Sequence, residues 1–243
     1  MSFDLVEAGW DTLIDKAVTL GSTELRIVCP FIKKSVAERL LASGPPQLIQ
    51  VITRFKLGDF CGGVSDTSAL RLLLNHGAKI RGVQGLHAKV YLFGDKQAIV
   101  TSANLTDAGL SRNHEFGFTA DDPQIIQRCR QYFNDLWQKT APDLTAEKID
   151  GWDKRLEKVK SGGGRPKAVS KLPDDGVKLG AASSPFVAAS TTRPEATQSF
   201  VKFFGQGDDR RDHYDSVFAW AKIQERTGPA RIQELQSNPK MMM

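Results

Sequence analysis

The segment 86–95 constrains the fold of this chain most strongly, because polar and apolar side chains alternate along it. It has the sequence Leu-His-Ala-Lys-Val-Tyr-Leu-Phe-Gly-Asp. Successive side chains of a β-strand point to opposite faces, so an extended segment would gather its polar groups on one face. That face would carry His87, Lys89 and Tyr91. The other face would carry the apolar residues Ala88, Val90 and Leu92. The pattern predicts a strand with one functional face and one face in the core.

Two later pairs of polar residues have the same spacing. Ser102 and Asn104 stand two residues apart, and so do Asn113 and Glu115. In an extended segment each pair shares a face. Together with the first strand, the pairs supply an imidazole, an ammonium, a hydroxyl, an amide and a carboxylate. We expect these groups to converge on one anion.

This combination resembles the signature of the phospholipase D superfamily, which is His-x-Lys, then Asp, then Gly-Ser-x-Asn. The resemblance implies that His87 attacks phosphorus and forms a covalent phosphohistidine. It implies that Lys89, Ser102 and Asn104 bind the phosphate oxygens, and that Glu115 orients the histidine. These roles agree with the chemistry, because a phosphodiester needs fixed donors for its developing charge and a nucleophile oriented by a third group.

The chain departs from the family signature at two positions. The family aspartate normally occupies the place of Gly94, whereas here Asp95 comes one residue later. Thr101 stands where the family usually has glycine. Eleven residues still separate Lys89 from Thr101, which is the family spacing, so the strands keep their relation. We assign Asp95 a structural role only.

Alternating apolar patterns along the first 140 residues predict an α/β fold with a mixed β-sheet flanked by helices. The resemblance implies a single phospholipase D-like lobe. Helices are expected at 5–20, 33–42, 66–74 and 122–137, with Asp66 and Asp122 as N-caps. Strands are expected at 24–29, 48–54, 79–84, 87–93, 98–101 and 115–119.

Composition divides the chain into three parts. Residues 1–144 form the expected catalytic domain and carry 16 Lys and Arg against 15 Asp and Glu. Residues 145–198 are expected to form a charged helix and then a flexible linker, with 10 basic and 7 acidic residues. Residues 199–243 read as a short helical C-terminal segment whose ending in Met241–Met243 suggests truncation. Most of the net charge of +5 thus lies outside the predicted catalytic domain.

Several classes of protein do not fit this composition. No apolar run is long enough to span a bilayer, and the N-terminus lacks the pattern of a signal peptide. Cys29, Cys61 and Cys129 have no paired spacing, so the sequence predicts neither disulfides nor a zinc site. We expect a cytoplasmic protein that requires no metal and no cofactor.

The chain contains one His-x-Lys motif followed by Ser-x-Asn, whereas the family's chemistry uses two histidines. A single-motif chain can supply both if two copies pair about a two-fold axis. The sequence therefore predicts a homodimer with one composite site. The residues in and around the motif are similar to those of the nuclease branch of the family. This resemblance implies a metal-independent endonuclease acting on DNA rather than RNA. Arg54 follows a predicted strand and is a candidate for substrate binding.

Two other functions remain open at this stage. Phospholipase or phosphatidyl-transfer chemistry would use the same site, although the sequence shows no anchor or basic amphipathic face for a membrane. Alternatively, the site serves as a phosphate or nucleic-acid cradle in a larger defence or repair assembly. In that case the C-terminal segment would dock on a further protein subunit.

Overall fold

The computed structural model describes residues 2–42, 46–161, 169 and 172–180. The strands within these residues are β1 (Phe3–Val6), β2 (Glu24–Val28), β3 (Leu48–Thr53), β4 (Lys79–Gly82), β5 (Val90–Phe93), β6 (Gln97–Thr101) and β7 (Gly117–Ala120). The helices are α1 (Trp10–Thr19), α2 (Lys34–Ala42), α3 (Leu57–Cys61), α4 (Thr67–Asn75), α5 (Asp107–Ser111), α6 (Pro123–Gln138) and α7 (Ala146–Ser161).

The strands form a single mixed sheet in the order β1-β7-β6-β5-β2-β3-β4. The pairs of β2 with β3 and of β3 with β4 are parallel. The remaining pairs are antiparallel. This arrangement confirms the α/β fold with a mixed sheet flanked by helices that the sequence predicts.

Hydrophobic cores cover both faces of the sheet, so all four residues of β5 are buried. Tyr91 and Phe93 belong to the larger core, which includes residues of α1, α2, α4 and α7. Val90 and Leu92 belong to the smaller core beneath α6, which contributes Ile126 and Phe133. The strand that follows the His-x-Lys motif is therefore fixed from both sides.

The predicted helix at 5–20 is wrong at its beginning. Residues Phe3–Val6 form an edge strand that pairs with β7, with Leu5 opposite Phe118. Gly9 separates strand from helix with a positive φ of 75°, a conformation that glycine adopts without steric cost. Pairing with a strand more than a hundred residues away overrides the helical spacing of the apolar residues.

The two predicted N-caps have different outcomes. Asp122 caps α6 as expected, because its carboxylate accepts hydrogen bonds from the amides of Gln124 and Ile125 at 2.7 and 3.2 Å. Asp66 makes no side-chain cap on α4. Its carboxylate instead accepts from the Lys34 amide at 2.9 Å, at the beginning of α2. The short helices α3 and α5 were not predicted.

The predicted domain boundary at residue 144 falls inside a compact unit that extends to Ala181. Helix α7 inserts Ile149, Trp152 and Leu156 into the larger core. Residues 172–180, which the composition assigns to the linker, also belong to this compact unit. The remainder of the predicted linker and the segment 199–243 lie outside the described residues. Within the described parts of the chain, no helix is long and apolar enough to cross a membrane.

Candidate active site

The candidate site lies at the edge of the sheet where β2, β3 and β6 end and where β5 and β7 begin. His87 and Lys89 lie in the segment that leads into β5, which begins at Val90, so the strand predicted over 87–93 starts three residues later than expected. The Thr101 amide donates to the Lys89 carbonyl at 3.2 Å, so the end of β6 is joined to this segment. The Ser102 amide in turn donates to the Phe116 carbonyl at 3.0 Å. Backbone hydrogen bonds thus bring the three parts of the motif together.

Lys89 is a buried cation beside an exposed histidine. The lysine is only 6% exposed, and its Nζ lies 3.4 Å from His87 Nδ1. No carboxylate in the described part of the chain lies within ion-pair distance of this ammonium. Removing a charge from water without a counter-ion is costly, and an incoming anion would relieve that cost.

Ser102 and Glu115 form a second half of the site. The Ser102 hydroxyl donates a hydrogen bond to Glu115 Oε2, and the Phe116 amide donates to Ser102 Oγ at 3.0 Å. Asn113 Nδ2 donates to the other carboxylate oxygen of Glu115 at 3.1 Å. The resemblance implies a contact of Glu115 with His87, which this arrangement does not contain. Both oxygens of the carboxylate are engaged by Ser102 and Asn113 instead.

Asn104 is half-buried and lies over a buried sulfur–phenol pair. Its Oδ1 is 3.7 Å from Cys29 Sγ, and the Leu105 amide donates to the same sulfur at 3.3 Å. The Tyr91 hydroxyl donates to the Ala103 carbonyl at 2.8 Å. The amide oxygen of Asn104 therefore faces the protein, and its NH₂ group is the end available to a ligand.

Burial determines the protonation of this supporting pair. Desolvation raises the pKa of the Cys29 thiol, and it raises the pKa of Tyr91 well above 10. Both groups therefore keep their protons at neutral pH. The sequence suggests Tyr91 as part of a functional face, but the side chain is 1% exposed and supports the Ser-x-Asn segment from beneath.

Thr101 fits the position where the family usually has glycine. Its hydroxyl accepts a hydrogen bond from the Ala103 amide at 3.0 Å, which closes a local turn at the end of β6. The side chain is buried at 7% exposure, so it points away from the surface of the site. The Thr101 side chain therefore supports the beginning of the Ser-x-Asn segment.

Asp95 is not brought together with the other candidates, whereas Arg54 follows β3 at the same end of the sheet as the site. Arg54 lies over the Phe31 ring at 5.3 Å and forms an ion pair with Asp59 at 3.2 Å. Burial raises the pKa of Asp59, and the charge of Arg54 opposes that shift. Asp95 follows the far end of β5, where Phe93 is already about 13 Å from Lys89 at the usual rise per residue of a strand. The side chain of Asp95 is exposed there, and its structural role stays a prediction.

Sequence reasoning did not assign a role to Cys29 or Phe116. Cys29 lies 75 residues before Asn104, and no local pattern links the two. Phe116 is a large apolar side chain at 54% exposure directly after Glu115. Its position next to a predicted site residue is the signal that could have marked it. Among the residues with described positions, no three His, Cys, Asp or Glu side chains form a group that could hold a metal ion.

The geometry agrees with a comparison against known families. A family model described as "Cardiolipin synthase, PLD-like domain" matches residues 13–137, slightly more than half of the chain. The chain belongs to the phospholipase D superfamily. The match includes every candidate residue of the site and ends near the end of α6. No curated protein matches the sequence significantly.

Solved structures share the fold at low sequence identity. Nuc from Salmonella typhimurium, a phospholipase D family member, is 17% identical with a TM-score of 0.51, and the match covers 60% of this chain and 100% of Nuc. Phosphatidylserine synthase from Haemophilus influenzae is 16% identical with a TM-score of 0.51, covering 70% of this chain and 46% of the synthase. NucT from Helicobacter pylori is 12% identical with a TM-score of 0.42, covering 58% and 98%. The first two likenesses establish the phospholipase D-like fold.

Proposed function

We propose that this chain is a metal-independent endonuclease that cleaves DNA through a phosphohistidine formed on His87. The observation that carries the proposal is the buried Lys89 ammonium, which has no carboxylate partner among the described residues and lies 3.4 Å from His87 Nδ1. A phosphodiester carries one negative charge and would therefore supply the counter-ion for this ammonium. Its phosphorus would then lie next to a histidine that is exposed to the substrate.

The other candidates bind the same phosphate in this proposal. The NH₂ group of Asn104 and the hydroxyl of Ser102 donate to its oxygens, and Lys89 supplies the positive charge. Glu115 holds Ser102 in the free enzyme. It becomes available to orient His87 when Ser102 turns toward the phosphate. In this proposal Lys89, Ser102 and Asn104 position the substrate phosphate without a metal ion.

The reaction proceeds in two balanced steps. A ring nitrogen of His87 attacks phosphorus, forming an N–P bond while the P–O bond to the leaving nucleotide breaks. A second histidine, in its protonated form, gives a proton to the leaving oxygen. The second histidine then takes a proton from water, whose oxygen attacks phosphorus and breaks the N–P bond. Since the chain has one His-x-Lys motif, we propose that a second copy of the chain supplies this histidine.

The decisive experiment is cleavage of labelled single- and double-stranded DNA in excess EDTA. We expect cutting by the wild type, and a loss of at least about 100-fold in His87→Ala, because the nucleophile is removed. Denaturing the wild-type reaction with SDS at alkaline pH should trap label on the protein, because the N–P bond of a phosphohistidine is stable to base and hydrolyses in acid. His76→Ala is the matched control, since His76 is an exposed histidine at the end of α4 whose ring nitrogen lies 2.9 Å from the Leu72 carbonyl of the same helix.

Other results would contradict the nuclease proposal in different ways. Cutting that survives in His87→Ala would exclude His87 as the nucleophile. Binding of DNA without cutting by either protein would favour the phosphate-cradle function. The absence of both, together with flotation on liposomes, would favour phospholipid chemistry.

A further inference from the structure

An apolar strip runs along β1 and β7 and ends at the candidate site. Its members lie on β1 and β7 and just before β7, and they are Phe3, Leu5, Phe116 and Phe118. Phe116 is 54% exposed and Leu5 is 65% exposed. The Phe3 and Phe118 rings contact each other at 4.9 Å. Phe116 is the member of this strip next to the catalytic residues.

The register of the sheet places Phe116 beside Ser102. Thr101 pairs with Gly117 in the antiparallel ladder of β6 and β7. The next pair is Ser102 and Phe116, and the Ser102 amide donates to the Phe116 carbonyl at 3.0 Å. Directly opposed residues of an antiparallel pair project from the same face, with Cβ atoms about 5 Å apart. The exposed ring therefore flanks the hydroxyl that we propose to bind phosphate.

The backbone of Phe116 is also held in place. Its amide donates to Ser102 Oγ at 3.0 Å, in addition to the carbonyl contact. Glu115, the preceding residue, is anchored by Ser102 and Asn113. A large aromatic side chain on a fixed backbone loses little entropy when it contacts a ligand, in contrast to one on a mobile loop.

We infer that Phe116 is the stacking platform for an unpaired nucleobase next to the scissile phosphate, which makes single-stranded nucleic acid the substrate class. This inference rests on the proposed function, because it places the phosphate at Ser102. Stacking on aromatic side chains tolerates any base and needs a free base face. In a duplex the neighbouring base pairs cover those faces, so a paired substrate cannot use the platform.

The test measures binding and turnover separately in Phe116→Ala, Phe116→Trp and Leu5→Ala. Binding is measured by anisotropy of labelled oligothymidylate and of a duplex of equal length. Turnover is measured on the same oligonucleotides and on methyl 4-nitrophenyl phosphate, a phosphodiester without a nucleobase. Leu5→Ala is the control, because Leu5 is an exposed apolar residue on the same strip but farther from Ser102.

We expect Phe116→Ala to weaken oligothymidylate binding by about 5- to 100-fold, the loss of one stacked base. Phe116→Trp should retain binding, and Leu5→Ala should equal the wild type. Duplex binding and turnover of methyl 4-nitrophenyl phosphate should change little in Phe116→Ala. This pattern separates stacking from a general disturbance of the site.

Three results would overturn the inference. The first is oligothymidylate binding that is absent in the wild type or unchanged in Phe116→Ala. The second is an equal loss on all substrates with a shift to monomer in sedimentation, which would assign the ring to a contact between copies. The third is loss of vesicle binding in Phe116→Ala without loss of DNA binding. If no variant turns over any phosphodiester while Phe116→Ala still weakens oligothymidylate binding, the nuclease proposal fails and the stacking platform stands.

Discussion

At the scale of single residues, the site depends on buried polar groups that never touch the substrate. Tyr91 and Cys29 lie beneath the Ser-x-Asn segment. They contact the Ala103 carbonyl, the Asn104 side-chain oxygen and the backbone amide of the next residue, Leu105. A buried hydrogen-bonding group without a partner costs more than the bond contributes, so each of these contacts restricts the loop to one conformation. The position of the Asn104 side chain therefore depends on Cys29 and Tyr91, which are distant in the sequence, and not on its sequence neighbours alone.

Tyr91→Phe tests this support through stability and its pH dependence. The substitution leaves the Ala103 carbonyl without its donor, so we expect the free energy of unfolding to fall by about 1–3 kcal/mol at pH 8. Burial raises the pKa of Tyr91 well above 10 in the folded state. Above pH 10 the unfolded tyrosine loses its proton while the folded one keeps it, so the wild type loses stability as pH rises. Phenylalanine has no such loss.

The stability difference between the two proteins should therefore narrow from pH 8 to pH 10.5. Urea denaturation at the two pH values measures it directly. A difference that stays constant or widens would show that the Tyr91 hydroxyl ionises as easily in the folded protein as in the unfolded chain.

At the scale of elements, the segment 172–180, which we call the strap, supports the loop that carries His87. The Val177 amide donates to the Gly82 carbonyl at 2.8 Å, and the Gln84 amide donates to the Val177 carbonyl at 2.9 Å. Trp152 Nε1 donates to Asp175 Oδ2 at 2.7 Å, which joins the strap to α7. The strap therefore pairs with the chain just after β4. Its last contact there is with Gln84, three residues before His87.

Gly176→Ala should release the strap, because a Cβ at this position would lie 2.9 Å from the Val83 carbonyl carbon and 3.0 Å from the Gln84 nitrogen. Both are backbone atoms of the loop that leads to His87, so neither can move without displacing that loop. We expect faster hydrogen exchange at the Gln84 and Val177 amides and a lower kcat on DNA.

Gly151→Ala is the matched control for the strap variant. Nothing lies within 4 Å of a Cβ at Gly151, which is an interior position of α7. Alanine there should leave exchange at Gln84 unchanged and stabilise the protein by about 0.5–1 kcal/mol. If Gly176→Ala behaves in the same way as this control, the strap does not support the histidine loop.

At the scale of the whole molecule, the proposed chemistry needs two histidines and the chain has one His-x-Lys motif. The proposal therefore requires assembly, and activity should follow the concentration of dimer. Mixing the wild type with an inactive variant tests this more sharply than diluting the wild type, because each composite site would need His87 from both copies.

Excess His87→Ala protein, equilibrated with the wild type, should reduce cleavage far beyond simple dilution. Mixed dimers carry one histidine and lack either the nucleophile or the proton donor. Total activity should fall roughly in proportion to the fraction of dimers with two wild-type copies, so activity per wild-type chain should fall with the wild-type share of the mixture. Excess His76→Ala protein, which keeps His87, is the control and should cause no such fall. Unchanged activity, or a wild type that sediments as an active monomer, would exclude a composite site.

Much of the fold and of the candidate residue set could be predicted from local patterns. The two-residue spacing of Ser102 and Asn104, the Asp-Pro start of α6 and the periodicity of α2 and α4 depend on residues close in the chain. The start of α1 could not be predicted, because Phe3–Val6 becomes a strand only through its pairing with β7. Over four residues, the apolar pattern of a helix and that of an edge strand cannot be told apart. Only the pairing with another strand distinguishes them.

The sequence by itself determined the superfamily, the α/β class and the functional groups available, because motif spacing and hydrophobic periodicity are local properties. Only the tertiary structure decided how those groups are held. It placed Cys29 under Asn104, directed Glu115 toward Ser102 and brought the strap against Gln84. These contacts join residues 13 to 93 positions apart, and such pairings are selected by the packing of the whole chain around one sheet.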